Sequence, residues 1–139
     1  MLKGIDSASV AGNKKADWVK ARAANGFAFA ILRASYAHQN YGIRPDPDFA
    51  RHYAAAKAAG YVVGAYCFWR VDFDPKKQAE VFVKSVKAVG FGRGDLIAWN
   101  DLEFGSKGRK GYGYSVVDAM GRYALCSQEI SLGLGLPRT

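Results

Sequence analysis

Cysteine and histidine are scarce in this 139-residue chain, with two of each. Cys67 and Cys126 sit singly inside apolar or helical stretches, and His38 and His52 have no partner at metal-ligand spacing. This excludes a zinc framework and a disulfide-dense scaffold, and leaves two buried free thiols and two surface histidines as the expectation. Long hydrophobic runs are also missing. No segment is apolar for long enough to cross a bilayer, so no membrane insertion is expected. The start, Met1-Leu2-Lys3-Gly4-Ile5-Asp6, lacks the apolar core of a secretory leader. The expected location follows: synthesis in the cytoplasm, with action outside requiring release or a route invisible in the sequence. Acids are outnumbered, 12 against 20 Lys and Arg, for a net charge of +8. That surplus favours polyanions such as nucleic acid, anionic membrane or an anionic cell wall, without choosing among them.

What is present is half hydrophobic, 50% with 14% aromatic, which rules out wholesale disorder and gives one domain, 1–139, a real core. Apolar stretches over 2–7, 27–35, 61–68 and 96–104 read as strands. Between them lie helical patterns with start and stop signals. Asp17 opens one that Asn25-Gly26 ends. Asp46-Pro47 opens a second, with Phe49, Tyr53, Ala56 and Ala59 at helical spacing before Gly60. Asp74-Pro75 opens a third, with Ala79, Phe82, Val83 and Val86 apolar before Gly90. A last helix is expected from about Ser115 to Ile130, broken by the Leu132-Gly133-Leu134-Gly135-Leu136-Pro137 tail. Residues 36–46 read as a polar, aromatic loop, and 105–114 as a basic, glycine-rich one. Strand–helix repeats of roughly thirty residues mean parallel βαβ units, here four of them.

The fourth strand, Leu96-Ile97-Ala98-Trp99-Asn100-Asp101-Leu102-Glu103-Phe104, organises the functional expectation. Its apolar opening predicts burial on both faces. Alternation puts Asp101 and Glu103 on one side at the C-terminal end, where α/β folds hold their ligands. Two adjacent carboxylates cannot both ionise freely, and the one in the drier setting keeps its proton. Glycosidic bond cleavage needs such an acid and carboxylate. An Asp-x-Glu at a strand end is more often a solvated terminus or a cap, so the pair alone decides nothing. Asp6 ends the first strand, Arg33-Ala34-Ser35-Tyr36 closes the second, and Tyr66 and Phe68 share a face at the end of the third. Aromatic rings at strand ends can stack on sugars, or simply fill a core. Their joint position around one mouth outweighs any single member. Gly90-Phe91-Gly92-Arg93-Gly94-Asp95 follows a helix and opens a strand, the reverse of a dinucleotide fingerprint, and its Arg-Gly-Asp is read as chance.

Lys3-Gly4-Ile5-Asp6-Ser7, Asp17-Trp18, Phe29-Ala30-Ile31-Leu32-Arg33-Ala34-Ser35-Tyr36, Asp46-Pro47-Asp48-Phe49, Ala58-Ala59-Gly60, Val63-Gly64-Ala65-Tyr66-Cys67-Phe68, Gln78-Ala79 and Asp101-Leu102-Glu103 occur in that order. Together they resemble glycoside hydrolase family 25, the Chalaropsis-type lysozymes that include phage endolysins. The likeness covers residues 3 to about 104 and continues more weakly beyond. It implies a parallel β/α barrel of TIM-like type, truncated here to about the first four βα units. It implies an N-acetylmuramidase acting on bacterial peptidoglycan, retaining and substrate-assisted, with no metal or cofactor. Glu103 would donate the proton, Asp101 would steady the oxazolinium formed by the substrate's 2-acetamido group, and Asp6 would be a supporting acid. Arg33, Tyr36, Tyr66 and Phe68 would contact substrate. A complementing C-terminal half is an expected partner, and endolysin-like release would bring the chain to the wall. Cys67 stands where the family usually has His, and Asn100 where an apolar residue is usual. The competing expectations are a non-catalytic binder of wall glycan and, less favoured, a basic nucleic-acid-binding protein. The latter lacks a binding motif, and its aromatics lie on apolar strands.

Overall fold

The computed structural model describes residues 1–9, 15–102 and 113–136. Its elements are β1 (Lys3–Ser7), α1 (Trp18–Asn25), β2 (Phe27–His38), β3 (Gly42–Pro45), α2 (Phe49–Ala58), β4 (Val62–Trp69), α3 (Pro75–Ala88), β5 (Ala98–Leu102) and α4 (Val116–Leu134). Local chemistry sets most of the boundaries. The Asp17 carboxylate accepts from Lys20 N at 2.9 Å, and the Asp74 carboxylate from Lys77 N at 2.7 Å, with Pro75 in the first turn. Ser115 caps α4 in the same way through Asp118 N at 3.0 Å. Each cap satisfies a helix N–H that has no partner within the helix. Gly26 ends α1 in the left-handed region at φ 67°, where a side chain would be strained.

The sheet order is β1-β2-β4-β5, with all three of these pairings parallel, so the four C-terminal ends share one side. This is an α/β fold with a parallel sheet, as expected. The helices cover one face. Residues 30, 32 and 34 of β2 and 63, 65, 67 and 69 of β4 alternate into that face at 1% exposure or less. They meet Phe49, Tyr53 and Ala56 of α2, Ala79, Phe82 and Val86 of α3, and Ala119, Cys126 and Ile130 of α4. Fully burying a ring such as Phe82 stabilises the fold by about 1.5–3 kcal/mol.

Several expectations change. The fourth strand is not buried on both faces: Ile97 is 66% and Trp99 39% exposed, because β5 pairs with β4 alone and its second face carries no helix among the described residues. The stretch 36–46 is a hairpin, not a loop. β2 continues to His38, turns through residues 39–41, and pairs antiparallel with β3, whose first residue, Gly42, takes the left-handed region at φ 71°. The second helix starts after Asp48, not at Asp46-Pro47. Asp46 instead lies buried, its carboxylate accepting from Arg33 Nε at 2.8 Å, Ser9 N at 3.0 Å and Asp48 N at 3.0 Å.

His52 is not a surface residue. Three positions after Phe49 on α2, it falls on the inward face, 2% exposed, and its Nδ1 accepts from Trp18 Nε1 at 3.1 Å. His38 sits half-buried at the hairpin, stacked on Tyr41 with centroids 4.8 Å apart. The last helix runs past Ile130 to Leu134, and Gly133 does not break it. A Cβ on Gly133 would lie 2.7 Å from Val83, so this glycine permits the close approach of α4 to α3. Asp95 of the Arg-Gly-Asp tripeptide is used internally. Tyr53 Oη and Lys57 Nζ reach it at 2.7 Å, and Gly92 N at 2.9 Å. The two thiols are free and buried, as expected, and touch each other between β4 and α4.

Candidate active site

Strand alternation places Ile31 and Arg33 of β2, Gly64, Tyr66 and Phe68 of β4, and Trp99 and Asp101 of β5 on the helix-free face. Parallel pairing then brings their upper ends beside Asp6 of β1. A depression of about 410 Å³ opens there, lined by Asp6, Ile31, Tyr66, Trp99, Asn100 and Asp101. Two acids from opposite edges of the sheet thus face one hollow. A larger hollow of 710 Å³ lies between α1 and α2 but has no acid in its lining. Its Arg22 is already committed to the Ala59 carbonyl at 2.6 Å.

The electrostatics of the hollow follow from its walls. Asp6 keeps an exposed edge, yet partial burial of its carboxyl raises the pKa above the usual carboxylate value. The Tyr66 hydroxyl, the Ser7 backbone N–H and the Arg33 charge pull it back down. Burial pushes the Tyr66 phenol well above its ordinary value, and the neighbouring Asp6 and Asp101 carboxylates add to that. Tyr66 therefore stays protonated and donates to Asp6. Asp6, Tyr66 and Asp101 form one electrostatic unit.

Of the remaining expected site residues, Arg33 reaches this unit through its charge. Its Nε is spent on Asp46, its Nη2 on Ser9 Oγ at 3.2 Å, and its guanidinium lies 4.7 Å from the centre of the Tyr36 ring. Arg33 and Tyr36 thus form a braced pair beside the hollow, not part of its lining. Phe68 lies opposite Asp101 in the β4–β5 register but outside the hollow. Glu103 lies outside the described residues, as does most of the basic loop.

Trp99 and Ile31 are lining residues that the strand-end reading missed. The signal was present in the spacing: Trp99 precedes Asp101 by two, so both share a face. The two departures from the family pattern point the other way. Cys67 packs under the helices against Cys126. Asn100 ties β5 to α4, donating from Nδ2 to Ser127 Oγ at 3.1 Å and accepting Tyr123 Oη on its carbonyl at 2.8 Å. Among the described residues, no group of three His, Cys, Asp or Glu could hold a metal ion, and no helix is long and apolar enough to cross a membrane.

The protein is of the α/β class, with Asp6 and Asp101 gathered at the C-terminal ends of parallel strands, where such folds hold their ligands. The chain belongs to the glycosyl hydrolases family 25, whose model matches residues 5–125. In fold it is similar to a family 25 glycosyl hydrolase from Bacillus anthracis, with a TM-score of 0.78 and 24% identity over 97% of this chain. The bacterial lysozyme from Streptomyces coelicolor gives 0.77 and 23% over 96% of the chain, and the muramidase from Trichobolus zukalii 0.74 and 23% over 97%. The chain spans 57%, 59% and 62% of those three structures respectively, less than two thirds of each. A search of curated proteins gives no significant match.

Proposed function

We propose that the chain is the N-terminal part of an N-acetylmuramidase, cleaving the β-1,4 bond between N-acetylmuramic acid and N-acetylglucosamine in peptidoglycan. The observation that carries this is the pairing of Asp6 with Asp101 across one hollow, within the stretch that matches the family. Asp101 stands two residues from Glu103. In this mechanism Glu103 gives its proton to the leaving glycosidic oxygen while the 2-acetamido carbonyl oxygen of the substrate attacks C1. The C1–O bond breaks and an oxazolinium forms, which the Asp101 carboxylate steadies. Water then adds to C1, Glu103 takes back a proton, and two displacements leave the configuration retained. Asp6, held by Tyr66, supports the site electrostatically. Tyr66 and Phe68, with the Arg33–Tyr36 pair behind them, contact the glycan. No metal or cofactor takes part.

The proposed architecture is a TIM-like β/α barrel. Residues 1–139 supply one partial catalytic domain with its first four βα units, and a complementing C-terminal half supplies the rest. The open face of β5 and the longer relatives support this. The +8 charge draws the protein to an anionic wall, in keeping with endolysin-like delivery after synthesis in the cytoplasm. A second reading, a wall-glycan binder without turnover, rests on the exposed Trp99 ring beside the polar groups of the hollow.

The test is release of new reducing ends from purified wall material. Glu103→Gln should lose at least ~10²–10⁴-fold in rate with its circular dichroism unchanged. Asp101→Asn should be crippled, and Asp6→Asn hurt less. An active parent whose Glu103→Gln variant keeps full activity would remove Glu103 as the acid. An inert parent that still binds walls would leave the binder.

A further inference from the structure

Trp99 is the exposed tryptophan of the three: Trp18 is 4% and Trp69 0% exposed, against 39% for Trp99. It does not protrude from a loop. It lies on β5 two residues before Asp101, in the floor of the hollow that also holds Asp6 and Tyr66. Its ring occupies space that a side chain on β4 would otherwise fill. A Cβ on Gly64 would stand 2.4 Å from Trp99 Cζ3 and 2.9 Å from Ile31 Cδ1. Gly64 therefore lets the indole settle over β4 beside Ile31, in a lining that also bears the Asp6 and Asp101 carboxylates and the Tyr66 phenol.

An indole left open to water beside fixed hydrogen-bonding groups suits a ligand with an apolar face and a polar rim. A pyranose ring has that form: axial C–H bonds on one face, hydroxyl and acetamido groups around the edge. We propose that Trp99, seated by Gly64, is the stacking platform for one hexosamine ring of the bound glycan, with Asp6, Tyr66 and Asp101 meeting its polar rim. This rests on the muramidase reading and adds a contact residue to it. Trp99 binds sugar and moves no proton.

The probes are chitotetraose and insoluble peptidoglycan, each added to the full chain. Trp99 is the tryptophan that iodide can reach, so either glycan should protect the parent's fluorescence from iodide. In Trp99→Phe that glycan-dependent protection should vanish. Trp99→Ala should bind peptidoglycan roughly 3- to 10-fold more weakly, as loss of one aromatic contact implies. Gly64→Ala keeps the indole but displaces it, and should weaken binding in the same direction, which guards against a misfolded Trp99 variant. If the parent binds peptidoglycan and both Trp99→Ala and Gly64→Ala bind it equally well, the platform is wrong while the glycan reading stands. If the parent binds neither glycan, both fail. Protection of Trp99 from iodide before any glycan is added would show the ring to be covered by protein, and would also overturn the proposal.

Discussion

Asparagine in place of Asp46 should destabilise the protein more than its distance from the hollow implies. The Asp46 side chain is 1% exposed and its Arg33 partner 14%. The carboxylate accepts from Arg33 Nε, Ser9 N and Asp48 N, at 2.8, 3.0 and 3.0 Å. Asp46→Asn preserves shape but strands the guanidinium without its counter-charge. Breaking a buried pair from one side costs about 3–5 kcal/mol, and the partial solvation of Arg33 places this case near the lower end. At ~3 °C per kcal/mol for a chain of this size, Tm should fall by roughly 10 °C. Arg33 also stacks on Tyr36 and acts on Asp6 and Tyr66, so glycan binding should weaken below the new Tm. The assay is thermal and urea unfolding of the parent, Asp46→Asn and an Arg33→Met/Asp46→Asn double variant, which keeps a side-chain acceptor at position 46 for the neighbouring backbone N–H groups. The double variant should recover most of the loss, because removing both charges leaves neither one buried alone. A loss under about 1 kcal/mol in the single variant, or a double variant no better than the single, would refute the buried-pair reasoning.

Burial, and then the Arg51 charge, hold the pKa of His52 below its ordinary 6.5. Its contribution to stability is thus complete above pH 6.5 and is lost as pH falls through the lowered folded value. The urea midpoint should drop between about pH 7 and pH 5 in the parent and less in His52→Asn, which has no group to charge. Gly133→Ala should cost about 1–3 kcal/mol by thermal melting, because its Cβ would meet Val83 at 2.7 Å, and Val83→Ala should rescue it. Cys67 and Cys126 are 1% and 0% exposed, and burial together with the Cys67 contact pushes the Cys126 thiol up. Neither should react with a thiol reagent until denaturant is added; fast labelling of the folded chain would contradict the packing of α4 on β4.

The strands and most helix starts were legible because their causes are local. Asp17 and Asp74 cap the helices they precede, and the alternation at 63, 65, 67 and 69 is written into the chain. What was hidden depended on partners distant in sequence. Asp46 looked like a cap because Pro47 follows it, but its carboxylate is held by Arg33 on β2 and Ser9. His52 looked solvated until Trp18 supplied a buried donor. An apolar run such as Leu96-Ile97-Ala98-Trp99 does not reveal which face a helix will cover. The seat of Trp99 requires the β4–β5 register, which places Gly64 beneath the ring. Asp6 and Asp101 were legible as strand-end acids, whereas the Tyr66 hydroxyl joining Asp6 to the site was not.

The most direct measurement is the identity of the sugar at the cut. Purified peptidoglycan is digested with the parent chain, alone and together with the C-terminal part of a family relative. The new reducing ends are then reduced with borohydride, and the products are identified by mass spectrometry. Muramidase cleavage predicts reduced N-acetylmuramic acid at every new end, with none formed by Glu103→Gln. Reduced N-acetylglucosamine would assign the other glycosidic bond. No new ends under either condition would contradict catalysis by this site.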